Sequence, residues 1–342
     1  HQSVSLLARG RSQQPLQLPN RKGDCGWLHC DAPGGRAYVY RQDGFTFDAG
    51  PTIVTAPFLF EELWQLCGRR LSDDIELRPI SPFYRIRFDD GAAYEQYMGK
   101  WSQLAGESFL DWLAPKPGLR WLDVGCGNGA FTEMLVGRCA PVSVHGIDPS
   151  EAQLAFARTR AASHIAQFRQ GDAMALPFAD DSFDAAVMAL VIFFVPEPTR
   201  GVAEMVRVVR PGGSVSAYAW DMAGGGFPYD AMHVEMRAMG MTIPMPPSPG
   251  ASRLEAMQEL WAGADLENVE TRAIAVQRTF ASFDDYWATI RGGPSLAPKL
   301  ATMSAADLAQ LRDRLCARLL ADAAGRITYS ARAHAVKGRV PR

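Results

Sequence analysis

Residues 121–130 read Trp-Leu-Asp-Val-Gly-Cys-Gly-Asn-Gly-Ala, an apolar stretch that carries Asp123 and then glycines at alternate positions, Gly125, Gly127 and Gly129, with Cys126 between the first two. Phe131-Thr132-Glu133-Met134-Leu135 follows, so the text reads as a strand, a tight turn and the start of a helix. Glycine enters positive φ at little cost and has no Cβ, so such a turn bends sharply and brings its N–H groups close to a ligand. The chemistry on offer is the cradling of a nucleotide-like cofactor. Gly125, Gly127 and Ala130 also satisfy the GxGxxG/A pattern of dinucleotide sites, so the turn by itself leaves the cofactor open. Cys126 has no evident base near it and is expected to fill the turn rather than act as a nucleophile.

Two further carboxylates fall at positions that such a cofactor needs. Val142 to Asp148 is a short apolar strand ending in an acid, and an acid at that tip is placed to accept both hydroxyls of a ribose, charge-assisted bonds of roughly 1.5 to 3 kcal/mol each. Its structural alternative is to cap the helix that opens at Pro149-Ser150. Asp172, followed by Ala173, closes a third strand that begins near Phe168. A general base, needed only if the acceptor must lose a proton, is sought at His233 with its neighbours Tyr229, Asp230 and Glu235, against the alternative of a packing histidine. His145 and His164 are structural by default.

The elements that must position these residues alternate. A helical region from Tyr94 to Leu113 ends before Pro115 and Pro117, and a helix is expected over Glu151 to Ala162 after the second strand. Phe183 to Leu190 is a fourth, fully buried strand, Thr199 to Val209 a helix, and Arg210-Pro211-Gly212-Gly213 turns into a fifth strand, Ser214 to Ala219. Helices alternating with apolar strands specify an α/β fold with a doubly wound sheet. In such sheets ligands sit outside the carboxyl ends of the strands, so the Met- and Pro-rich segment 220–253 is expected to lie over the site as an acceptor cap. Its methionines suit an adaptable apolar wall or plain core equally. A helix (Arg253 to Trp261), a strand (Val269 to Thr279), a helical insert (Phe283 to Ile290 and Ala305 to Ala324) and a last strand (Ile327 to Val336) complete the chain.

Composition narrows the partners. A net charge of −2 supplies no electrostatic reason to bind nucleic acid or an anionic membrane, and no apolar run is long enough to span one. The six cysteines lack CxxC spacing, so neither a metal site nor a disulfide framework is expected and a reducing, cytoplasmic setting fits best. Small molecules are the expected partners; the oligomeric state is not legible. Residues 1–30, basic and Gln-rich, are expected to be a disordered leader rather than a targeting peptide.

From Asp31 the text changes to Ala32-Pro33-Gly34-Gly35-Arg36-Ala37-Tyr38-Val39-Tyr40 and then Gly44-Phe45-Thr46-Phe47-Asp48-Ala49-Gly50-Pro51-Thr52. Residues 31–91 resemble the segment just after the FAD fingerprint in bacterial phytoene desaturases, in which Gly34, Gly35 and Arg36 would lie beside the flavin. The GxGxxG unit that should precede them is absent, so no helix N-terminus holds a pyrophosphate, and the fragment is expected to bind no FAD. Its strands, Tyr38 to Tyr40 and Tyr84 to Phe88, would lack their original partners and are expected to pack poorly.

Four landmarks stand in order after it: Asp123 with Gly125, Gly127 and Gly129; Asp148; Gly171-Asp172-Ala173 with Leu176-Pro177-Phe178; and Arg210-Pro211-Gly212-Gly213. Together they resemble class I S-adenosylmethionine-dependent methyltransferases, particularly those similar to ubiquinone and menaquinone biosynthesis methyltransferases. The resemblance covers residues 94–340 and implies a seven-stranded Rossmann-like methyltransferase fold, S-adenosyl-L-methionine as cofactor and a small, apolar or aromatic methyl acceptor. It also implies a methionine-cradling glycine turn that includes Cys126, the ribose on Asp148, and the adenine amino group near Asp172 and Ala173. Asp123 would organise the loop and the cofactor's amino group. An FAD-linked desaturase remnant and a cofactor-binding module without turnover are the competing readings, and a nicotinamide dehydrogenase leaves the last two landmarks without a role.

Overall fold

A computed structural model describes residues 4–8, 39–42, 45–48, 53–54, 64–65, 68–73, 75–79, 95–293 and 296–342. The chain divides into two compact units, 1–85 and 86–342. In the first, β1 (Val4–Ala8) pairs antiparallel with both β4 (Ile53–Val54) and β5 (Ile75–Pro79), while β2 (Val39–Gln42) and β3 (Phe45–Asp48) form a two-stranded antiparallel ribbon. Val4–Ala8 falls within the leader expected at residues 1–30. This apolar run, unlike the Arg- and Gln-rich text after it, has the β-propensity to satisfy its backbone groups against Ile75–Pro79. Gly34, Gly35 and Arg36 and the expected strand at 84–88 lie outside the described residues, as does the rest of the leader.

The second unit is a seven-stranded sheet in the order β11-β12-β10-β9-β6-β7-β8. Its strands are β6 (Arg120–Val124), β7 (Ser143–Asp148), β8 (Ala166–Gln170), β9 (Phe183–Ala189), β10 (Val209–Trp220), β11 (Glu267–Phe280) and β12 (Ile327–Arg339). β6 to β10 run parallel, and β12 lies antiparallel between β10 and β11. The core strands β6 and β9 are buried along almost their whole length because both faces are covered, as a parallel sheet requires. The expected doubly wound fold with a closing antiparallel pair is the one observed.

Helix α1 (Lys100–Leu113) packs on α2 (Ala130–Cys139) and on β11, α3 (Glu151–Ala157) covers β7 and β8, and α4 (Pro198–Val208) covers β9 and β10. After β10 come α5 (Asp230–Ala238), α6 (Leu254–Ala262), α7 (Phe283–Arg291), α8 (Ala297–Ala301) and α9 (Ala305–Arg318). Two helices are shorter than the sequence pattern suggests. α3 stops at Ala157, with a separate 3₁₀ turn at Ala161–His164, and α9 stops at Arg318, where Leu319 leaves helical geometry. The Arg210-Pro211-Gly212-Gly213 landmark is a bulge within β10: the pairing with β9 shifts register between Val209 and Ser214, and Gly212 has φ +74. Arg210 and Arg120 both bind Asp184 (2.5 and 3.1 Å), a clamp at the amino ends of β6 and β9 that holds Asp184 well below the usual carboxylate range. That landmark is thus structural, at the edge of the sheet opposite the glycine turn.

Candidate active site

The strand order reverses between β6 and β9, and the first crossover leaves β6 through the glycine turn. Gly125, Gly127 and Gly129 all have positive φ (+76, +52 and +79), the left-handed region that the alternate spacing anticipates. Their environments differ. A Cβ on Gly125 would meet Val191 Cγ2 at 2.5 Å, and one on Gly129 would meet Ala157 Cβ at 3.0 Å, so these two are walls of the turn. A Cβ on Gly127 would meet nothing within 4 Å, so the turn presents open space at this residue.

The turn is fixed from several directions. Ile147 O accepts the N–H groups of Gly125 and Cys126 at 2.7 and 2.9 Å. Asp148 Oδ2 accepts from Gly127 N at 2.9 Å, and Oδ1 accepts from Ser150 N at 2.8 Å. Arg160 donates to Asn128 O at 2.6 Å and pairs with Glu133 at 2.7 Å, tying the turn to the segment after α3. Asp148 therefore does cap the chain at Ser150, and it also braces the glycine turn. A carboxylate offers about four lone-pair positions, so two remain for a ligand. Burial pushes its carboxyl up from the usual range, opposed by the two N–H groups it accepts.

Asp123 lies wholly buried beneath the turn. Its Oδ2 accepts the Thr132 hydroxyl at 2.6 Å, and its Oδ1 has no hydrogen-bond partner among the described residues. Burial raises its carboxyl to about 7, Thr132 opposing and nearby Asp148 adding to the rise. An unpaired oxygen of a buried carboxylate costs about 1 to 3 kcal/mol or more, so a donor from a ligand is the natural completion. Cys126 is buried with its sulfur against Gly146, where a Cβ would come within 2.9 Å of it. Burial and the neighbouring acids hold its thiol protonated, consistent with a filler and not a nucleophile.

Asp172 stands two residues past the end of β8, exposed, with Oδ1 accepting from Met174 N at 2.8 Å. Gly171 N donates to Asp148 O at 3.2 Å, which brings the Asp172-Ala173 corner beside the tip of β7. Asp123, Gly125, Cys126, Gly127, Gly129 and Asp148 thus form one contiguous structure, with Asp172 and Ala173 at its rim. Sequence reading missed Thr132, Arg160 and the segment after β9. There Leu190 holds φ +61, unusual for a bulky residue, with its N–H on Tyr218 O at 2.7 Å, and this strained turn delivers Val191 onto Gly125. Thr132 was accessible, nine positions after Asp123 in the first turn of α2.

The expected cluster around His233 does not assemble as a base with its partners. The ring lies flat on Phe227 (centroids 5.2 Å, 8°), and burial lowers its pKa to about 4, with Asp230 opposing. Tyr229 instead turns into a fully buried aromatic group: it stacks on Tyr97 at 4.4 Å, accepts from Trp101 Nε1 at 3.2 Å and donates to Tyr97 O at 2.7 Å. Glu235 is buried against Arg314 and Arg318 of α9 at 2.7 and 2.6 Å. Met232 and Met236 are fully buried in the common core and Met245 is exposed, so these three methionines do not line one wall. The cap loop after β10 is anchored by Asp221, which binds Arg332 at 2.6 Å and Gly224 N at 2.8 Å. Among the described residues no cluster of His, Cys, Asp and Glu could hold a metal ion, and no helix is long and apolar enough to cross a membrane.

The sheet order and its flanking helices define a Rossmann-like methyltransferase fold, and residues 122–217 match the family model described as a methyltransferase domain. An uncharacterised protein of Mycobacterium tuberculosis is 35% identical over 108 residues, covering 32% of this chain and 39% of that protein. The phosphoethanolamine N-methyltransferase 2 of Haemonchus contortus, solved with phosphomonomethylethanolamine and S-adenosylhomocysteine, superposes with a TM-score of 0.50 at 19% identity, covering 79% of this chain and 63% of that one. The N-terminal resemblance is also found: the lycopene-forming phytoene desaturase of Pantoea ananas is 53% identical over 64 residues, 19% of this chain. The chain spans only 13% of the length of that desaturase. The chain therefore carries a piece similar to part of a phytoene desaturase and, over residues 122–217, a match to the methyltransferase family model.

Proposed function

We propose that residues 94–340 bind S-adenosyl-L-methionine and transfer its methyl group to a small apolar or aromatic acceptor. The observation that carries this reading is the joint between Asp148 and Gly127: one carboxylate oxygen fixes the turn residue whose Cβ position is open space, while two of its lone-pair positions remain for ribose hydroxyls. Asp123 Oδ1 supplies an acceptor for the cofactor's ammonium group, and Asp172 with Ala173 the rim for adenine. When bound, the cofactor supplies a methyl group already activated by its sulfonium, so no protein nucleophile is required. The chain's own contribution is alignment of the acceptor, which can supply roughly 7 to 11 kcal/mol, and exclusion of water.

The segment 220–253 is the part of the chain proposed to face the acceptor, since it leaves β10 at the carboxyl edge and is pinned there by Asp221, Arg332 and Ser252. His233 remains the candidate base on that segment, with its packing on Phe227 favouring the structural alternative. Cytoplasmic residence belongs to the same reading.

Calorimetry with S-adenosylhomocysteine tests the proposal. Binding by the wild-type chain and its loss in Asp148→Ala is the expected result; failure of the wild type to bind would sink it. Turnover on a panel of small phenols and other aromatic acceptors then separates an enzyme from a module that binds the cofactor without turnover.

A further inference from the structure

The cap segment 220–253 is held at its two ends by different parts of this unit. Its start is fixed to β12: Asp221 N donates to Arg332 O at 3.0 Å, and the Arg332 guanidinium donates to Asp221 Oδ2 at 2.6 Å. Its end is fixed to the segment that follows β9, where Ser248 N donates to Phe193 O at 3.0 Å and Ser248 Oγ donates to Val195 O at 2.8 Å. The 3₁₀ turn Pro249–Ser252 comes next. There Ser252 Oγ accepts from Met222 N at 3.2 Å and Ser252 O meets His334 Nδ1 at 2.9 Å, so the two ends of the cap close on each other.

The segment after β9 also reaches the glycine turn. Val191 lies on Gly125, where an added Cβ would come within 2.5 Å of Val191 Cγ2. Between Val191 and Val195 the chain forms a 3₁₀ turn, Ile192–Phe194, closed by Phe194 N on Val191 O at 2.7 Å and Val195 N on Ile192 O at 3.2 Å. Ile192, Phe193 and Val195 are buried. A short turn that is hydrogen-bonded and close-packed moves as one piece, so a shift at Val191 reaches the carbonyls of Phe193 and Val195. Gly125, Val191, Val195 and Ser248 are thus one continuous series of contacts from the glycine turn to the cap.

We propose that Ser248 is a positioning residue for the methyl acceptor: occupancy of the glycine turn sets the segment 190–196, and the Ser248 hydroxyl passes that setting to the cap. The inference rests on the reading of the turn as the cofactor site and of the cap as the acceptor side. It gives the reaction an order, with the cofactor bound before the cap takes the form that receives the acceptor. Because such coupling is reciprocal, loss of the hydroxyl also weakens the cofactor, but by no more than the one neutral hydrogen bond removed.

The test is hydrogen exchange of the full chain over residues 222–247, with and without saturating S-adenosylhomocysteine, whose affinity is first measured on the same sample by calorimetry. In the wild type the ligand is expected to slow exchange of the cap by about fivefold, the value of one such bond. Ser248→Ala keeps the backbone bond to Phe193 O and should lose this increment, with S-adenosylhomocysteine weakened by no more than about tenfold. Ser248→Thr keeps the hydroxyl and should keep the increment. A wild-type chain that binds the ligand with no change in cap exchange would overturn the proposal. So would a Ser248→Ala chain that keeps the increment, including one whose cap exchanges faster by the same factor with and without ligand, the mark of a purely structural hydroxyl. Failure of the wild type to bind S-adenosylhomocysteine would overturn the cofactor reading itself, a result that calorimetry separates from uncoupling.

Discussion

The carboxylate of Asp148 accepts the N–H of Gly127 at 2.9 Å across 21 positions of sequence, and through its other oxygen the N–H of Ser150 at 2.8 Å. One side chain thereby sets the glycine turn of the first crossover against the start of the second. Asp148→Ala is expected to abolish measurable S-adenosylhomocysteine binding, a loss of at least about 100-fold for two charge-assisted bonds, while Asp148→Asn retains part of it. Calorimetry on both variants reads the difference; equal affinity of Asp148→Ala and wild type would refute the ribose role.

The glycines of the turn are not equivalent. Gly125→Ala puts a Cβ at 2.5 Å from Val191 and should destabilise the chain by about 2 to 5 kcal/mol, combining overpacking with the left-handed φ. Gly127→Ala meets no atom and should cost only about 1 to 2 kcal/mol of stability, yet its methyl occupies the cradle and should eliminate cofactor binding. Denaturant melts paired with binding isotherms distinguish the two, and a Gly127→Ala chain that binds normally would place the cofactor elsewhere.

Asp123 makes the site pH-dependent. Burial raises its carboxyl from 3.8 to about 7, so between these values the folded chain holds a proton that the unfolded chain has released. The stability this group contributes is greatest below about 4 and declines as pH rises toward 7. An ammonium ligand favours the ionised form, so S-adenosylhomocysteine affinity should rise between about pH 6 and 8, with proton release at the lower end. Calorimetry in buffers of different ionisation enthalpy measures that proton; in Asp123→Asn both the slope and the proton should vanish.

Glu235 links α5 to α9 through Arg314 and Arg318, and those guanidinium groups hold its carboxyl below the usual range. Its contribution is therefore present above the ordinary carboxylate pKa and lost on acidification. Glu235→Ala should lower stability by about 1 to 3 kcal/mol, since both arginines keep partial access to water. Unchanged melting of this variant would show that the pair is not holding the cap helix.

His233 is neutral above about pH 4, with its ring on Phe227. His233→Gln is expected to reduce stability modestly and to leave any methyl transfer rate within about threefold, as a residue outside the chemical step would. A fall of two orders of magnitude, the typical contribution of a general base, would restore it to the reaction.

What the sequence by itself determined is local and periodic. Alternating apolar strands and helices specified the doubly wound sheet, because a strand buried on both faces is mostly apolar, as β9 is. Three glycines at alternate positions announced a turn that only positive φ can make. The acids at 123, 148 and 172 were legible because each falls within two residues of the carboxyl end of a strand. What only the tertiary structure decided is which polar atoms meet and which are left over. His233, Tyr229 and Glu235 are close in sequence, yet the last two turn away to Tyr97 and Arg314, because partners distant in sequence bury them better. Ser102 and Trp220 are silent in sequence, since a buried donor without a partner among the described residues exists only after packing has removed its water.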